Sequence, residues 1–477
     1  MTTRRFVSIA APLAVCGLLA GWVVLSAANA EAASFSTLVY ALANLIVFTD
    51  VLDFLLRLYM KRRHTATARG TGREHEISID LNAGLPAAAN AVVAVEPYAI
   101  IASVFNLEER IEEFVAAYAP YRERMWLISD GSTDHTLMRL RQAGWRCFDD
   151  GLNRRKPAAL RRLLETLPEY IETVMVIDPD IRILAPGAGS EIDLEQFISE
   201  FQHSGAAAAC PRVMIEHDGF LARFQSFEYA LAFRVGRQSL ADYSITSGVS
   251  LYRREALTRA LREHSLSVYA EDFENAVILL NRGERIYYDG RLVVGTEGPG
   301  SFPRWFSQRV GWYHGLLKVY LERIGSVWRI ARRTPFALYH YLVYVGVLTI
   351  CLHVVKVVSA TLLLVSFLSG VDNLFFAHLQ GWTNPAYFMA AVGSYLVFGA
   401  VALFTVVPKS ERAYAAPIVP LYLFYALVHL APMSVGYANW IALKLLGRRL
   451  YRDHYEPETS ERGALPGGQW LATRRLR

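Results

Sequence analysis

The chemistry most readily legible in this sequence sits in short acidic stretches. In VMVIDPDIRIL, residues 174–184, an apolar run ends in Asp178-Pro179-Asp180 and then turns apolar again. Side chains two apart on a strand share a face, so both carboxylates can meet one cation. Pro179 removes a backbone N–H and stiffens the bend. Hard oxygen donors of this kind suit Mg2+ or Mn2+, which often complete their shells with substrate phosphates. Taken alone, the pair also reads as a solvated acidic loop.

Three more stretches carry polar groups at points where elements begin. Ser129-Asp130-Gly131-Ser132-Thr133-Asp134 follows the strand-like MWLI and reads as a tight turn leading into a helix cap. Tyr269-Ala270-Glu271-Asp272 opens the apolar-periodic FENAVILLNRG. Carboxylates there are expected as first-turn caps and dipole partners. The sharper reading makes Asp272 a general base. A helix N-terminus lowers a carboxyl pKa, so burial or a nearby phosphate must oppose it. Gln308-Arg309-Val310-Gly311-Trp312 lies in a stretch rich in Trp, Phe and Arg. Tryptophan is ordinary at a membrane interface, yet its face also packs on a pyranose.

These stretches need a scaffold. Between about residues 96 and 300, short apolar runs such as YAIIASVF, RMWLISD, TVMVIDPD and GAAAACPRV alternate with helical patterns. That alternation predicts an α/β domain with a mostly parallel, doubly wound sheet. Ligands bind such sheets at the carboxyl ends of the strands, at a switch point.

The surroundings are apolar. Of 477 residues, 53% are hydrophobic and 19% charged, with a net charge of +5. That balance points to a membrane surface and away from nucleic acid. The four cysteines are scattered, with neither a metal-knuckle spacing nor a disulfide framework. Residues 1–60 read as an N-terminal membrane segment of two helices. The uncharged run 6–28 is long enough to span, and Ala28-Asn29-Ala30 also allows a cleaved signal peptide. The second run, about 35–60, ends in Lys61-Arg62-Arg63, which places the next segment in the cytosol. Asp50, Asp53 and Arg57 share one face of it, as an interfacial pair or as a polar lining for a sugar path. Residues 61–95 read as a linker and 96–300 as the catalytic domain. Residues 301–335 read as amphipathic helix in the membrane interface. Transmembrane helices are expected within 336–446, near 338–367, 386–407 and 415–446, the last broken near Pro432. Residues 447–477 form a polar tail.

In order and spacing, these stretches resemble family 2 glycosyltransferases over about residues 97–320. The resemblance is to the membrane-integrated polysaccharide synthases in particular, such as cellulose, chitin and hyaluronan synthases. It implies a GT-A-type fold in the cytosol. Phe105 and Asn106 match a nucleotide contact after the first strand, with Leu107 where Glu is common. Asp130 matches the second Asp of the family's Asp-Asp-Gly-Ser, with Ser129 replacing the first. Lys156 matches a Lys on the nucleotide side. Asp178 and Asp180 match the Asp-x-Asp that binds the nucleotide diphosphate and its Mg2+ or Mn2+. Phe224 to Tyr229 resembles the Glu-Tyr helix that follows, and Thr296-Glu297-Gly298-Pro299 an element before the last motif. Ser247 and Gly248 resemble an acceptor-side Ser-Gly. Asp272 matches the catalytic base, with Ala270 replacing a Thr. Gln308 and Trp312 fit the family's Gln-x-x-Arg-Trp, where Trp312 would meet the acceptor. Gly311 replaces the Arg that helps hold the diphosphate, and Arg309 is the candidate to take its place.

The resemblance thus implies an inverting transferase that uses a nucleotide sugar, with UDP the expected nucleotide, and extends a polysaccharide. Its expected setting is a bacterial inner or plasma membrane, with accessory subunits for export. Transfer of one sugar to a lipid carrier or glycolipid is the first alternative, which Gly311 keeps open. A non-catalytic membrane subunit with a degenerate transferase domain is the second.

Overall fold

A computed structural model of the chain describes residues 41–71, 95–371 and 385–451, apart from residues 43, 217 and 268. The apolar run 6–28 and most of the C-terminal tail lie outside the described residues.

Eight strands form one sheet: β1 (Tyr98–Val104), β2 (Met125–Ser129), β3 (Cys147–Asp149), β4 (Thr173–Val176), β5 (Arg182–Ile183), β6 (Ala208–Ile215), β7 (Ser250–Arg253) and β8 (Ile286–Thr296). Their order is β3-β2-β1-β4-β7-β6-β8-β5. β1 and β4 are near-continuous apolar runs because both of their faces are covered. The parallel pairs are β1/β2, β1/β4, β2/β3 and β6/β8. β7 runs antiparallel to both β4 and β6, and β5 antiparallel to β8. The sheet is therefore mixed, with a parallel majority. Chain order reverses at β1, which has β2 on one side and β4 on the other. Such a switch point opens a crevice at the carboxyl ends of the strands. β1, β2 and β4 end there, shortly before Phe105, Asp130 and Asp178.

The helix Leu45–Thr71 runs on into the stretch expected as linker. On it, Arg57 pairs with Asp53 at 2.8 Å and is only 4% exposed. Arg57 also donates to the Gly236 carbonyl at 3.3 Å and lies 4.1 Å over the Tyr344 ring, while Tyr339 donates to Asp53 at 2.8 Å. The pair is an internal joint between this helix, the segment after Phe220–Leu231 and the later apolar helices. It is packed inside the fold, in place of the interfacial pair near a helix end that the sequence suggests.

Two helical stretches, Phe388–Thr405 and Lys409–Leu446, are long and apolar enough to cross a membrane. A third is the pair Pro335–Cys351 and His353–Val365, bent by 51° at its break. Turns over Leu338–Cys351 are π-helical. There the Thr349 hydroxyl donates to the Tyr344 carbonyl at 2.9 Å, the kind of insertion that accompanies a kink. The last stretch does not break at Pro432. The helix Tyr422–Leu446 runs through that proline, and the irregular turn is Ala416–Leu421, which holds Pro417 and Pro420. Two closely spaced prolines remove two N–H groups from a single turn, whereas the lone Pro432 removes one from a well-packed helix.

Tyr422–Leu446 lies alongside Phe302–Glu322 from end to end. Trp305 donates to Tyr425 at 3.1 Å near one end, and Lys444 meets Glu322 at 2.6 Å near the other. Between them, Gly436 lets the backbones touch. A Cβ there would stand 2.7 Å from the Val310 carbonyl and 2.9 Å from the His314 nitrogen. Gly436→Leu should therefore cost about 1–3 kcal/mol through overpacking. The expected result is a lower melting temperature of the full chain in detergent; an unchanged one would mean the helices separate at little cost.

Candidate active site

Lys156 sits at the first position of the helix Lys156–Thr166. A cation is disfavoured at a helix N-terminus, so it needs nearby anions. It has two: the ammonium lies 2.7 Å from Asp178 Oδ1 and 2.8 Å from Glu271 Oε1. These carboxylates come from the end of β4 and the start of the helix Glu271–Asn281, so one charge ties three elements together. The flanking carboxylates hold Lys156 firmly protonated, well above its ordinary range, against the opposing effect of burial. Burial pushes Asp178 up to about 6, with Lys156 opposing. Gly248 closes the other side of Asp178: a Cβ on it would overlap the carboxylate, so the Ser247-Gly248 turn must be bare there. Ser247 itself turns inward and donates to the Val249 carbonyl at 2.8 Å.

Asp180 accepts from the Thr296 hydroxyl at 2.6 Å. Among the described residues, no group of three or more His, Cys, Asp and Glu side chains could hold a metal by itself. Two neighbouring carboxylates with room for phosphate oxygens nevertheless match the donor preference of Mg2+ or Mn2+. Asp180 and Asp178 would hold the ion, and Asp178 is the more committed of the two because Lys156 occupies it.

Asp272 is placed by two unusual contacts. Ala270, ahead of it, adopts a left-handed conformation at φ 51°, which costs a non-glycine residue about 1–2 kcal/mol. Gly315 of Phe302–Glu322 packs flat on it; a Cβ at 315 would come within 2.7 Å of the Ala270 nitrogen. Thr246 then donates to the Asp272 carbonyl at 2.8 Å. Two residues on, buried Glu274 meets Arg323 at 2.6 Å and so anchors the same helix. Burial and then repulsion from Glu271 push Asp272 up to about 7, against the attraction of Lys156 and Arg237.

At the crevice's other end, Phe105 presents an exposed ring. Asn106 adopts φ 47°, a conformation Asn tolerates, and its side-chain carbonyl accepts from the Thr133 N–H at 2.8 Å. It joins the turns after β1 and β2. Asp130 accepts from the Arg154 N–H at 2.6 Å. Burial pushes it up to about 6 despite that bond. Gly131, at φ +71°, leaves no space for a side chain, since a Cβ would lie 2.6 Å from the Asn153 nitrogen.

Phe105, Asn106, Asp130, Lys156, Asp178, Asp180, Gly248 and Asp272 thus line the carboxyl ends of the strands. The remaining candidates lie on Phe302–Glu322. Arg309 is 1% exposed, pairs with Glu228 at 2.9 Å and stacks 4.0 Å over the Trp312 ring. Glu228 also accepts from Tyr425 at 2.7 Å. Arg309 thus joins two helices through one terminal nitrogen, while its Nε and Nη1 are buried with no partner among the described residues. Gln308 Oε1 is buried with no partner among the described residues. Sequence reasoning assigns no role to Arg237 or Thr246. Arg237 donates to the Thr246 carbonyl at 3.0 Å. Its one signal is an arginine inside the apolar run YALAFRVGRQ.

No protein-family model matches the chain. In fold it is similar to a mannosyltransferase from Pyrobaculum calidifontis, solved with GDP-Man and Mn2+: 17% identity, 84% of this chain and 98% of that one covered, TM-score 0.51. It also matches glucosyl-3-phosphoglycerate synthase from Mycobacterium tuberculosis, at 16% identity over 51% of this chain and 88% of that one, with TM-score 0.34. Mannosyl-3-phosphoglycerate synthase from Rubrobacter xylanophilus matches at 12% identity over 49% and 76%, with TM-score 0.31. The first of these likenesses shows the fold alone, a mixed α/β sheet arranged as in that mannosyltransferase.

The folded-state pKa of Asp272 lies above its ordinary 3.8. Ionising it therefore costs stability, a cost that grows above about pH 4 and is complete above about pH 7. Asp272→Asn should melt higher than wild type at about pH 8 and equally at about pH 4; a pH-independent difference would contradict the burial of that charge. Mn2+ with a nucleoside diphosphate should raise the melting temperature of wild type, and Asp180→Asn should lose most of the shift.

Proposed function

We propose that this chain is a membrane-bound inverting glycosyltransferase that uses a nucleoside diphosphate sugar to extend a polysaccharide. The observation that carries the reading is the charge cluster after β4, in which Lys156 bonds Asp178 and Glu271 while Asp180 and Asp272 lie close enough to act on them electrostatically. Phe105 and Asp130 would receive the nucleoside at one end. Lys156 and the N-terminus of its helix supply positive potential beside the diphosphate. A divalent cation held by Asp180 and Asp178 would neutralise charge gathering on the leaving group.

Asp272 is the proposed base. The acceptor hydroxyl attacks the anomeric carbon, its proton passes to the Asp272 carboxylate, and the bond to the diphosphate oxygen breaks. A carboxylate pushed up to about 7 is a far better proton acceptor than an ordinary one and is still half ionised near neutrality. Glu271 and Asp178 raise it, while Lys156 keeps all three carboxylates in place. Ser247, Gly248 and Trp312 flank the acceptor side in this reading. Gln308 and Arg309 act behind it, by fixing the helix on which Trp312 stands.

The membrane setting has its own support. Arg212 of β6 binds Glu411 at 2.6 Å, which docks the segment before the last apolar helix on the catalytic domain. Lys409 and Arg412 flank that glutamate, so the positively charged connection lies on the catalytic, cytosolic side. We assign residues 96–300 to the catalytic unit and the helices after 300 to membrane attachment. A bacterial inner membrane with export partners fits the polymer product. Transfer of one sugar to a lipid-linked acceptor is the second reading, favoured by Gly311 in place of an arginine.

The test uses the full chain in nanodiscs with Mg2+ or Mn2+, a panel of UDP-sugars and GDP-mannose, detection of nucleotide release, and sizing of product. A long product supports the synthase, and a single added sugar supports the second reading. Asp272→Asn should retain donor binding and lose about 10²–10⁴ in turnover. Wild-type kcat/KM should fall about tenfold per pH unit below about 7, as the base takes up a proton, and level off above it. Near-normal turnover in the variant would sink the assignment of the base.

A further inference from the structure

The helix Tyr422–Leu446 has 25 residues, enough at about 1.5 Å each to cross the hydrocarbon of a bilayer. Its two ends, however, are tied to the same catalytic domain. Ahead of it, Glu411 binds Arg212 of β6 at 2.6 Å. After it, Gly447 adopts φ +67° and turns the chain back. Buried Asn439 holds the returning segment, accepting from the Leu450 and Tyr451 N–H groups at 3.0 and 2.8 Å. Arg449 thereby lies 4.8 Å over the ring of Tyr269, the residue before Ala270.

The neighbouring helix repeats this geometry. Phe302–Glu322 meets the catalytic domain along its whole length. Just ahead of it, Gln225 donates to the Pro299 carbonyl at 3.1 Å. Arg309 then pairs with Glu228 at 2.9 Å, and Gly315 packs on Ala270. Arg323, directly after it, pairs with Glu274 at 2.6 Å. Phe302–Glu322 therefore lies flat on that domain. Tyr422–Leu446 follows it from Trp305 to Glu322 and so lies flat as well. A crossing would carry one end to the far side of the membrane, away from its charged partners, at a large cost. The charges agree. Lys409 and Arg412 precede the helix, and Lys444, Arg448 and Arg449 close it. A single crossing places such an excess at one end only. Phe424, Val428, Ala431, Ile441 and Leu445 are exposed and share one side of the helix, an apolar stripe without a polar residue among them.

We propose that Tyr422–Leu446 does not cross the bilayer but lies in its interface on the catalytic side, with this stripe set among the headgroups and upper acyl chains of anionic lipid. The inference rests on the membrane attachment proposed above and gives it a geometry. The helix separates Phe302–Glu322 from lipid, and residues 447–451 return to stand beside the base-bearing helix.

The test is the depth of spin labels on the full chain in nanodiscs containing phosphatidylglycerol. Cys16, Cys147 and Cys351 are replaced by alanine, and buried Cys210 is kept. Labels are placed singly on Phe424→Cys, Val428→Cys, Ala431→Cys, Ile441→Cys and Leu445→Cys. Val397→Cys, midway along Phe388–Thr405, is the reference for a crossing helix. Depth is read from collisions with oxygen and with a water-soluble nickel chelate. The five labels should share one shallow depth of about 5–10 Å, and Val397→Cys should read about 15 Å. In sealed vesicles, an impermeant maleimide should reach Ser410→Cys and Arg448→Cys from the same face. A depth that climbs to the reference value at Ala431→Cys overturns the inference, as does labelling of the two ends from opposite faces. So do water-like collisions at all five sites beside a deep Val397→Cys. Water-like collisions at every site, Val397→Cys included, overturn the membrane attachment itself, and the inference with it.

Discussion

The Lys156 ammonium is the charge on which this crevice depends. Three carboxylates, Asp178, Glu271 and Asp272, gather around it from two distant parts of the chain. Without a central cation they would repel one another at short range in a poorly solvated pocket. With it, two of them are bonded at 2.7 and 2.8 Å while a net negative charge remains. A residual negative charge of this kind attracts a divalent cation. The same imbalance keeps Asp272 basic.

Position matters as much as charge. The base-bearing helix begins at a left-handed Ala270 pressed against Gly315, and Glu274 one turn on is held by Arg323. Both contacts come from residues 302–323, outside the sheet. The catalytic domain is thus completed by helices belonging to the apolar half of the molecule. A polar cluster of this kind needs a supporting shell that cannot relax when charge moves, because preorganisation is what makes fixed dipoles and charges effective.

Two ion pairs join the two halves, Arg309 with Glu228 and Arg212 with Glu411, and Arg57, paired with Asp53 on its own helix, adds a bond to the Gly236 carbonyl. Each arginine is nearly fully buried. Burying a charge pair adds little stability, since the loss of hydration offsets the attraction. What such pairs specify well is orientation, because a displaced partner leaves a bare charge behind. Sliding between the sheet and the apolar helices would break Arg309–Glu228 and Arg212–Glu411.

What was legible in the sequence was local. Apolar runs ending in acids mark the strand ends, so Asp130, Asp178 and Asp180 could be placed at the lip of a sheet from sequence alone. Asp272 could be placed at a helix start in the same way. The apolar helices after residue 335 were visible from composition. These features depend on residues a few positions apart, where periodicity and capping rules operate. Partner choice was not legible. The sequence could not say that Lys156 bridges Asp178 and Glu271, that Arg309 is committed to Glu228, or that Asp53 and Arg57 form a buried joint. Nor could it say that β7 would enter the sheet antiparallel, or that the helix would pass through Pro432 and turn irregular at Pro417 and Pro420. Those outcomes were decided by contacts between residues far apart in the chain, where packing and desolvation across the whole fold determine which charge meets which and which irregularity is tolerated.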